Sequence, residues 1–172
     1  RIAELAGKHL KEVVLELGGN NVQIVLEDAD LEKAAEAAAI GKFMHQGQIC
    51  MALNRIIVVE EVYDQFVQIF AEKVKRLQAG NPADPNTIVG PLINRDQIER
   101  IEASLNESVS MGAKTLMEGT VQGNVMSPVI VTDVTNDMPL AQNEIFGPVA
   151  PIIKVKDEAE AIAVANDSPY GL

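Results

Sequence analysis

The chain has 172 residues, 47% of them hydrophobic, with a formal charge of −11 and one cysteine. That length supports one domain with a real core. The acid excess is spread over helix faces and turns, which argues against nucleic acid or a membrane surface as a partner, since both are gripped mainly through Lys and Arg. No apolar run approaches the roughly 20 residues of a membrane-spanning helix. Arg1 to Lys11 is amphipathic and lacks a signal-peptide cleavage motif, so the default compartment is cytoplasmic. A single Cys50 can form no disulfide within the chain and no cysteine-rich metal site. His9 and His45 form no spaced ligand set, so no metal site is expected.

In chain order, Arg1 to Ala6 reads as the last turns of a helix closed by Gly7. Val13 to Leu17 reads as a short strand interrupted by Glu16, with Gly18-Gly19 as a turn and Val22 to Leu26 as a second strand. Asp28-Ala-Asp30 is an acidic helix start. Leu31, Ala34, Ala35, Ala38, Ala39 and Phe43 then carry helical spacing to about Met44. After the loop Gln46 to Cys50, Arg55 to Glu60 reads as a buried strand, and Val62, Phe66, Ile69, Phe70 and Leu77 as an amphipathic helix.

Residues 80–91 are too polar and too broken by Pro, Asn and Asp for an element. Ile98, Ile101, Leu105 and Val109 mark a third helix, ending at Gly112. Short strands follow at Lys114 to Met117, Pro128 to Val131 and Pro151 to Val155, with a final helix from Asp157 to Ala165. The alternation predicts an α/β fold, a mainly parallel sheet flanked by helices. Asn166 to Leu172 reads as a turn toward a further element, so both ends read as cut.

Three motifs offer chemistry. In Leu15-Glu-Leu-Gly-Gly-Asn20, Glu16 sits near a strand end beside a glycine turn. It faces either a cleft, where it can act as a general base, or solvent. Gly18 and Gly19 either admit a ligand to the backbone or make a tight turn. In Gly47-Gln-Ile-Cys50, the cysteine lies on a loop between helix and strand, where a thiolate can be reactive. His45 is five residues away with no reason to meet it. In Asn143-Glu-Ile-Phe-Gly-Pro148, Glu144 can accept hydrogen bonds from a ribose and Phe146 can pack against a flat ring or fill the core.

In this order, with the flanks LELGGNN, DADLEKAAEA, GQICMALNR, GNPADPNTIVGPLI, EIFGPV and NDSPYGL, the three motifs resemble the aldehyde dehydrogenase superfamily over essentially the whole chain. The run FMHQGQICMALNR is similar to the branch acting on benzaldehyde- or vanillin-type aromatic aldehydes.

The resemblance implies the fold of the family's catalytic domain. Residues 1–20 would be the tail of the dinucleotide-binding domain and residues 21–172 the cysteine-bearing catalytic domain. It implies Cys50 as the nucleophile, with the Cys50 N–H in the oxyanion hole, and Glu16 as the base that hydrolyses a Cys50 thioester. It implies NAD or NADP as cofactor, met by Glu144 at the ribose and by Phe146, Leu17 and Gly18 near the nicotinamide. A small aldehyde, aromatic in the branch resembled, would be the substrate, and the full-length protein would be a homo-oligomer. Ile49, Met51 and Asn54 would take part in substrate selection.

The family's oxyanion-hole asparagine and glycine-rich turn belong to sequence upstream of Arg1. The chain alone is therefore expected to be inactive. Two other readings are a CoA-acylating relative, which would not need Glu16, and a binding protein that kept the fold without the chemistry.

Overall fold

A computed structural model describes all residues 1–172. In chain order the elements are α1 (Ile2–Lys8), β1 (Asn21–Val25), α2 (Leu31–Phe43), a 3-10 turn (Met44–Gly47), β2 (Leu53–Val59), α3 (Glu60–Val74), β3 (Gln78–Ala79), β4 (Thr87–Val89) and α4 (Arg95–Ser110). There follow β5 (Lys114–Met117), β6 (Val121–Gln122), β7 (Val125–Met126), β8 (Val129–Thr132), α5 (Pro139–Gln142), β9 (Val149–Val155) and α6 (Glu158–Asn166). Three helices start where the sequence supplies a cap. Asp30, Asn94 and Asp157 each accept a hydrogen bond from a backbone N–H three residues on, satisfying a group the helix leaves free.

Five strands form one sheet in the order β1-β2-β9-β8-β5. The first three neighbour pairs are parallel, and β5 joins β8 antiparallel. Alternation along the strands divides the interior in two. Ile56 and Val58 of β2, Ala150 and Ile152 of β9 and Ile130 of β8 point to one side. There they meet Ala35, Ala38 and Phe43 of α2 and Phe66 and Phe70 of α3. Ile57, Val59, Val149, Ile153, Val129 and Val131 point to the other side, against Ile98 and Ile101 of α4, Leu140 of α5 and Ala161 of α6. Helices on both faces of a mainly parallel sheet are the architecture the alternation predicts.

Proline inside a central strand is unusual, because it cannot donate to a ladder. Pro151 sits where β9 changes partners: residues 149–151 are in register with β8 and residues 152–155 with β2.

Three local expectations are corrected. Val13 to Leu17 is not a strand: residues 9–20 have no regular structure, and Val14 and Leu17 are 90% and 68% exposed. A strand forms only beside another, and none of the chain's strands reaches this segment. The first helix runs through Gly7 to Lys8, and the left-handed residue after it is Leu10, at φ 52°. The 80–91 loop contains β4, which pairs with β3 as a separate small ribbon. Helix α5 and the β6–β7 hairpin are too short to show a period and were not anticipated. Residues 1–18 include no buried residue, whereas burial begins at Gly19 and Asn20, just ahead of β1.

Candidate active site

The order of the sheet explains why motifs far apart in sequence become neighbours. Strands β1, β2 and β9 are adjacent and parallel, so their N-terminal ends lie together. Gly18-Gly19 leads into β1, Cys50 into β2 and Glu144 into β9. The three motifs thus meet at one edge of the sheet. This is the edge opposite to the carboxyl ends at which open α/β sheets usually bind ligands.

The contacts are direct. The Gly19 N–H donates to Glu144 Oε1 at 3.1 Å. A side chain at Gly18 would overlap the Glu144 carboxylate, and a Cβ on Gly19 would come within 2.8 Å of the Cys50 carbonyl oxygen. Asn21 Nδ2 donates to the carbonyls of Cys50 at 2.6 Å and Ala52 at 3.1 Å, fixing the Cys50 loop to the first residue of β1. Both glycines are therefore close-approach positions as well as turn residues.

Cys50 is half-buried and free, in a turn closed by the Ala52 N–H to the Ile49 carbonyl at 2.9 Å. Its own N–H meets no protein acceptor. The approach to this turn is conformationally costly. His45, Gln46 and Gly47 take φ values of 48°, 59° and 74°, and runs of left-handed residues are rare outside glycine. Packing holds them there. A Cβ on Gly47 would overlap the Gly147 carbonyl and come within 3.1 Å of the Lys42 carbonyl oxygen. Gln48 Oε1 accepts from the Ile93 N–H at 3.0 Å, and Gln46 Nε2 donates to the Pro91 carbonyl at 3.4 Å. His45 is exposed and is no partner of Cys50.

The Glu144 loop is held from the other side. Gln97 Nε2 donates to the carbonyls of Phe146 at 2.8 Å and Ile145 at 3.3 Å. Arg100 donates to the carbonyls of Glu144 and Ile145. These bonds from α4 stabilise Phe146 at φ 52°, a strained value for an aromatic residue. Phe146 is half-buried and lines, with Glu144, Asn143, Gln97, Arg100 and Tyr170, an open cleft of about 610 Å³. The largest cleft, about 630 Å³ between α2, α3 and β4, includes neither Cys50 nor Glu144.

Beneath the site is a buried amide network. Asn54 Nδ2 donates to Asn20 Oδ1 at 2.7 Å and to the Asn143 carbonyl at 2.9 Å, while Asn54 Oδ1 accepts from the Ile145 N–H at 2.8 Å. Asn20 Nδ2 donates to the Ala141 carbonyl at 2.8 Å. Asn54 is thus a joint between two loops, which corrects its reading as a substrate-facing residue. The chain's last residues also return here. The Asn20 N–H donates to the Leu172 carbonyl at 2.7 Å, and the Tyr170 hydroxyl accepts from the Glu144 N–H at 3.4 Å.

Of the residues singled out in the sequence, Cys50, Gly18, Glu144 and Phe146 come together at this edge. Leu17 is exposed beside Gly18, and Glu16 is exposed in the irregular segment without a hydrogen bond or ion pair. Asn20, Gln97, Arg100 and Tyr170 were missed. The only signal for Asn20 was a polar amide at the edge of an apolar run.

All 172 residues match the aldehyde dehydrogenase family. Vanillin dehydrogenase of Corynebacterium glutamicum is 45% identical over 174 residues, covering 100% of this chain and 36% of the relative. Benzaldehyde dehydrogenase of Bacillus subtilis is 44% identical over 171 residues, covering 99% and 35%. The crystal structure of a salicylaldehyde dehydrogenase from Pseudomonas putida, complexed with salicylaldehyde, superposes with a TM-score of 0.94 at 45% identity, covering 99% of this chain and 36% of that one. The chain therefore spans about a third of the length of these relatives. With the motifs assembled at one sheet edge and the match running from end to end, the chain belongs to the aldehyde dehydrogenase family.

Proposed function

We propose that this chain supplies the nucleophile, the hydrolytic base and part of the dinucleotide contact for oxidation of an aldehyde to a carboxylic acid. The observation that carries the reading is the convergence of the Cys50, Gly18-Gly19 and Glu144 loops at the ends of three adjacent parallel strands. In the proposed division, residues 1–20 are the tail of a dinucleotide-binding domain and residues 21–172 the catalytic domain. The absence of buried residues before Gly19 supports that boundary.

Cys50 Sγ, as thiolate, adds to the aldehyde carbon and forms a C–S bond, while the carbonyl electron pair moves to oxygen. The Cys50 N–H, which has no protein acceptor, is available to hold that oxyanion. When bound, NAD or NADP supplies the acceptor for the hydride that leaves the same carbon. Cys50 is then acylated as a thioester. Glu16 takes a proton from water, the resulting hydroxide adds to the thioester carbon, and the C–S bond breaks to release the acid and the Cys50 thiolate. Glu16 lies two residues before Gly18, on an exposed irregular segment.

The residues present fit the edge of a dinucleotide. Gly18 leaves room beside the Glu144 carboxylate that a Cβ would fill. Half-buried Phe146 lines the same open cleft. Glu144 would accept from ribose hydroxyls, while Phe146, Leu17 and Gly18 would flank the nicotinamide. Aromatic aldehydes are the proposed substrate class, on the similarity to enzymes named for benzaldehyde, vanillin and salicylaldehyde.

The test uses the protein in its full natural length, with benzaldehyde, vanillin and either dinucleotide. Cys50→Ser is expected to abolish oxidation. Glu16→Gln is expected to acylate but release acid slowly, so the intact-protein mass rises by one acyl group per Cys50 during turnover. Undiminished steady turnover in either variant would refute the assigned role.

A further inference from the structure

Asn21 opens β1 at an irregularity in the sheet. It is in register with Leu53, whereas the next residue, Val22, is in register with Arg55, so Asn54 of β2 has no partner on β1. One extra residue on one strand is a β-bulge, which re-aims side chains out of the regular alternation. Two amides flank this bulge. Asn54 reaches the Glu144 loop through the Asn143 carbonyl and the Ile145 N–H. Asn21 reaches the Cys50 loop. Its Nδ2, with two hydrogens to give, donates to the carbonyls of Cys50 at 2.6 Å and Ala52 at 3.1 Å.

The Cys50 carbonyl is the sensitive point of that loop. Residues 49–52 form a four-residue turn, closed by the Ala52 N–H on the Ile49 carbonyl at 2.9 Å, with Cys50 and Met51 at its centre. The peptide between the two central residues is the one that flips between the common turn types, and the flipped form needs a positive φ at the second of them. Met51 has no positive φ, so the turn is in the unflipped form. The oxygen of this peptide is the Cys50 carbonyl. Asn21 Nδ2 holds it, and a Cβ on Gly19 would come within 2.8 Å of it. No other side chain donates to the backbone of residues 49–52. Gln48 is engaged with the Ile93 N–H, and Met51 is 71% exposed.

We infer that Asn21 is a positioning residue for Cys50: its two hydrogen bonds hold the turn in one form and so fix the direction in which Cys50 presents its Sγ and its N–H. The inference rests on the nucleophile role proposed above for Cys50. Asn21 touches no reacting atom and acts through the backbone of the turn. A sulfur and an N–H that must meet the same carbonyl group gain rate from being held in place, and a misplacement of about 1 Å costs on the order of a hundredfold. An amide suits the position because it donates twice. A carboxylate of the same shape only accepts, and would face two carbonyl oxygens; a serine hydroxyl has one hydrogen on a shorter arm.

The test uses the full-length protein in excess over benzaldehyde or vanillin and saturated with dinucleotide. The absorbance of reduced dinucleotide then follows addition and hydride transfer alone, ahead of thioester release. Asn21→Asp is expected to slow this single turnover by on the order of a hundredfold and Asn21→Ser by about tenfold. The dissociation constant of the dinucleotide is expected to stay within about twofold of wild type, since a loss confined to the chemical step marks positioning, whereas a loosened fold weakens both. If thermal unfolding shows that Asn21→Asp does not fold, Asn21→Ser decides. A wild-type single-turnover rate in Asn21→Ser or in folded Asn21→Asp overturns the inference, as does a loss that falls on dinucleotide affinity with the rate unchanged. Cys50→Ser separates the two levels. No turnover in wild type, or turnover undiminished in Cys50→Ser, removes the functional reading and the inference with it. An inactive Cys50→Ser beside Asn21 variants of wild-type rate removes the inference alone.

Discussion

A methyl group on Gly47 would enter space already filled by the Gly147 backbone, at a φ of 74° that side chains rarely adopt. Neither backbone can move cheaply, since one belongs to the Cys50 loop and the other to the Glu144 loop. Gly47→Ala is expected to cost about 2 kcal/mol or more, from left-handed strain and overlap together. Thermal unfolding should then shift down by about 4–8 °C; an unchanged midpoint would disprove the backbone contact. Asn54 makes a different case. Its amide satisfies Asn20, the Asn143 carbonyl and the Ile145 N–H in a buried setting. Asn54→Leu has similar volume but leaves those groups without partners. The expected loss is about 3 kcal/mol in denaturant unfolding, because an orphaned buried polar group costs more than its hydrogen bond contributes. A loss below about 1 kcal/mol would mean that water replaces the amide.

At the scale of elements, α6 ends on a side chain from another strand. Arg55, buried in β2, donates to the Val164 carbonyl at 2.7 Å, the Ala165 carbonyl at 2.9 Å and Asn136 Oδ1 at 2.8 Å. It thereby satisfies carbonyls that the last turn leaves free and places a cation at the negative end of the helix. Arg55→Met is expected to fray α6, with hydrogen exchange accelerating at residues 163–167 before it does so in β9.

That dependence also shows what a sequence can reveal. Helix α4 was legible because Ile98, Ile101 and Leu105 repeat at helical spacing whatever lies opposite. Val13 to Leu17 carried a strand's composition, but composition does not provide a neighbour. Helix α5 has only four residues, less than two turns. The site divides in the same way. Cys50, Glu144 and Gly18 stand in motifs and could be read in order. Gln97 and Arg100 act by reaching carbonyls 44 to 49 residues away, and that geometry exists only after the sheet has formed.

Over the whole molecule, the two groups with the largest pKa displacements are pulled away from the charged form by burial, and they leave opposite marks on stability. Lys42 falls from 10.5 to about 7 on folding. Between those values the unfolded chain holds a proton that the folded chain does not, so stability rises with pH through this window. The stability Lys42 contributes is fully present above about 10.5 and lost as pH falls to about 7, a swing on the order of a few kcal/mol. Tyr63, buried under Lys154, is raised to about 12 by loss of hydration. Its contribution is present below about 10 and lost as pH climbs toward 12. The two slopes are thus opposite in sign and occupy different windows, Lys42 between about 7 and 10.5 and Tyr63 between about 10 and 12. The Lys42 part can be isolated. In Lys42→Met the unfolding midpoint at pH 6 should be higher than in wild type, because a buried cation has been replaced by an apolar chain of similar length. Its rise between pH 7 and pH 9.5 should largely disappear. Parallel curves for the two proteins would mean that Lys42 keeps its proton throughout, and would place the source of the pH dependence elsewhere in the chain.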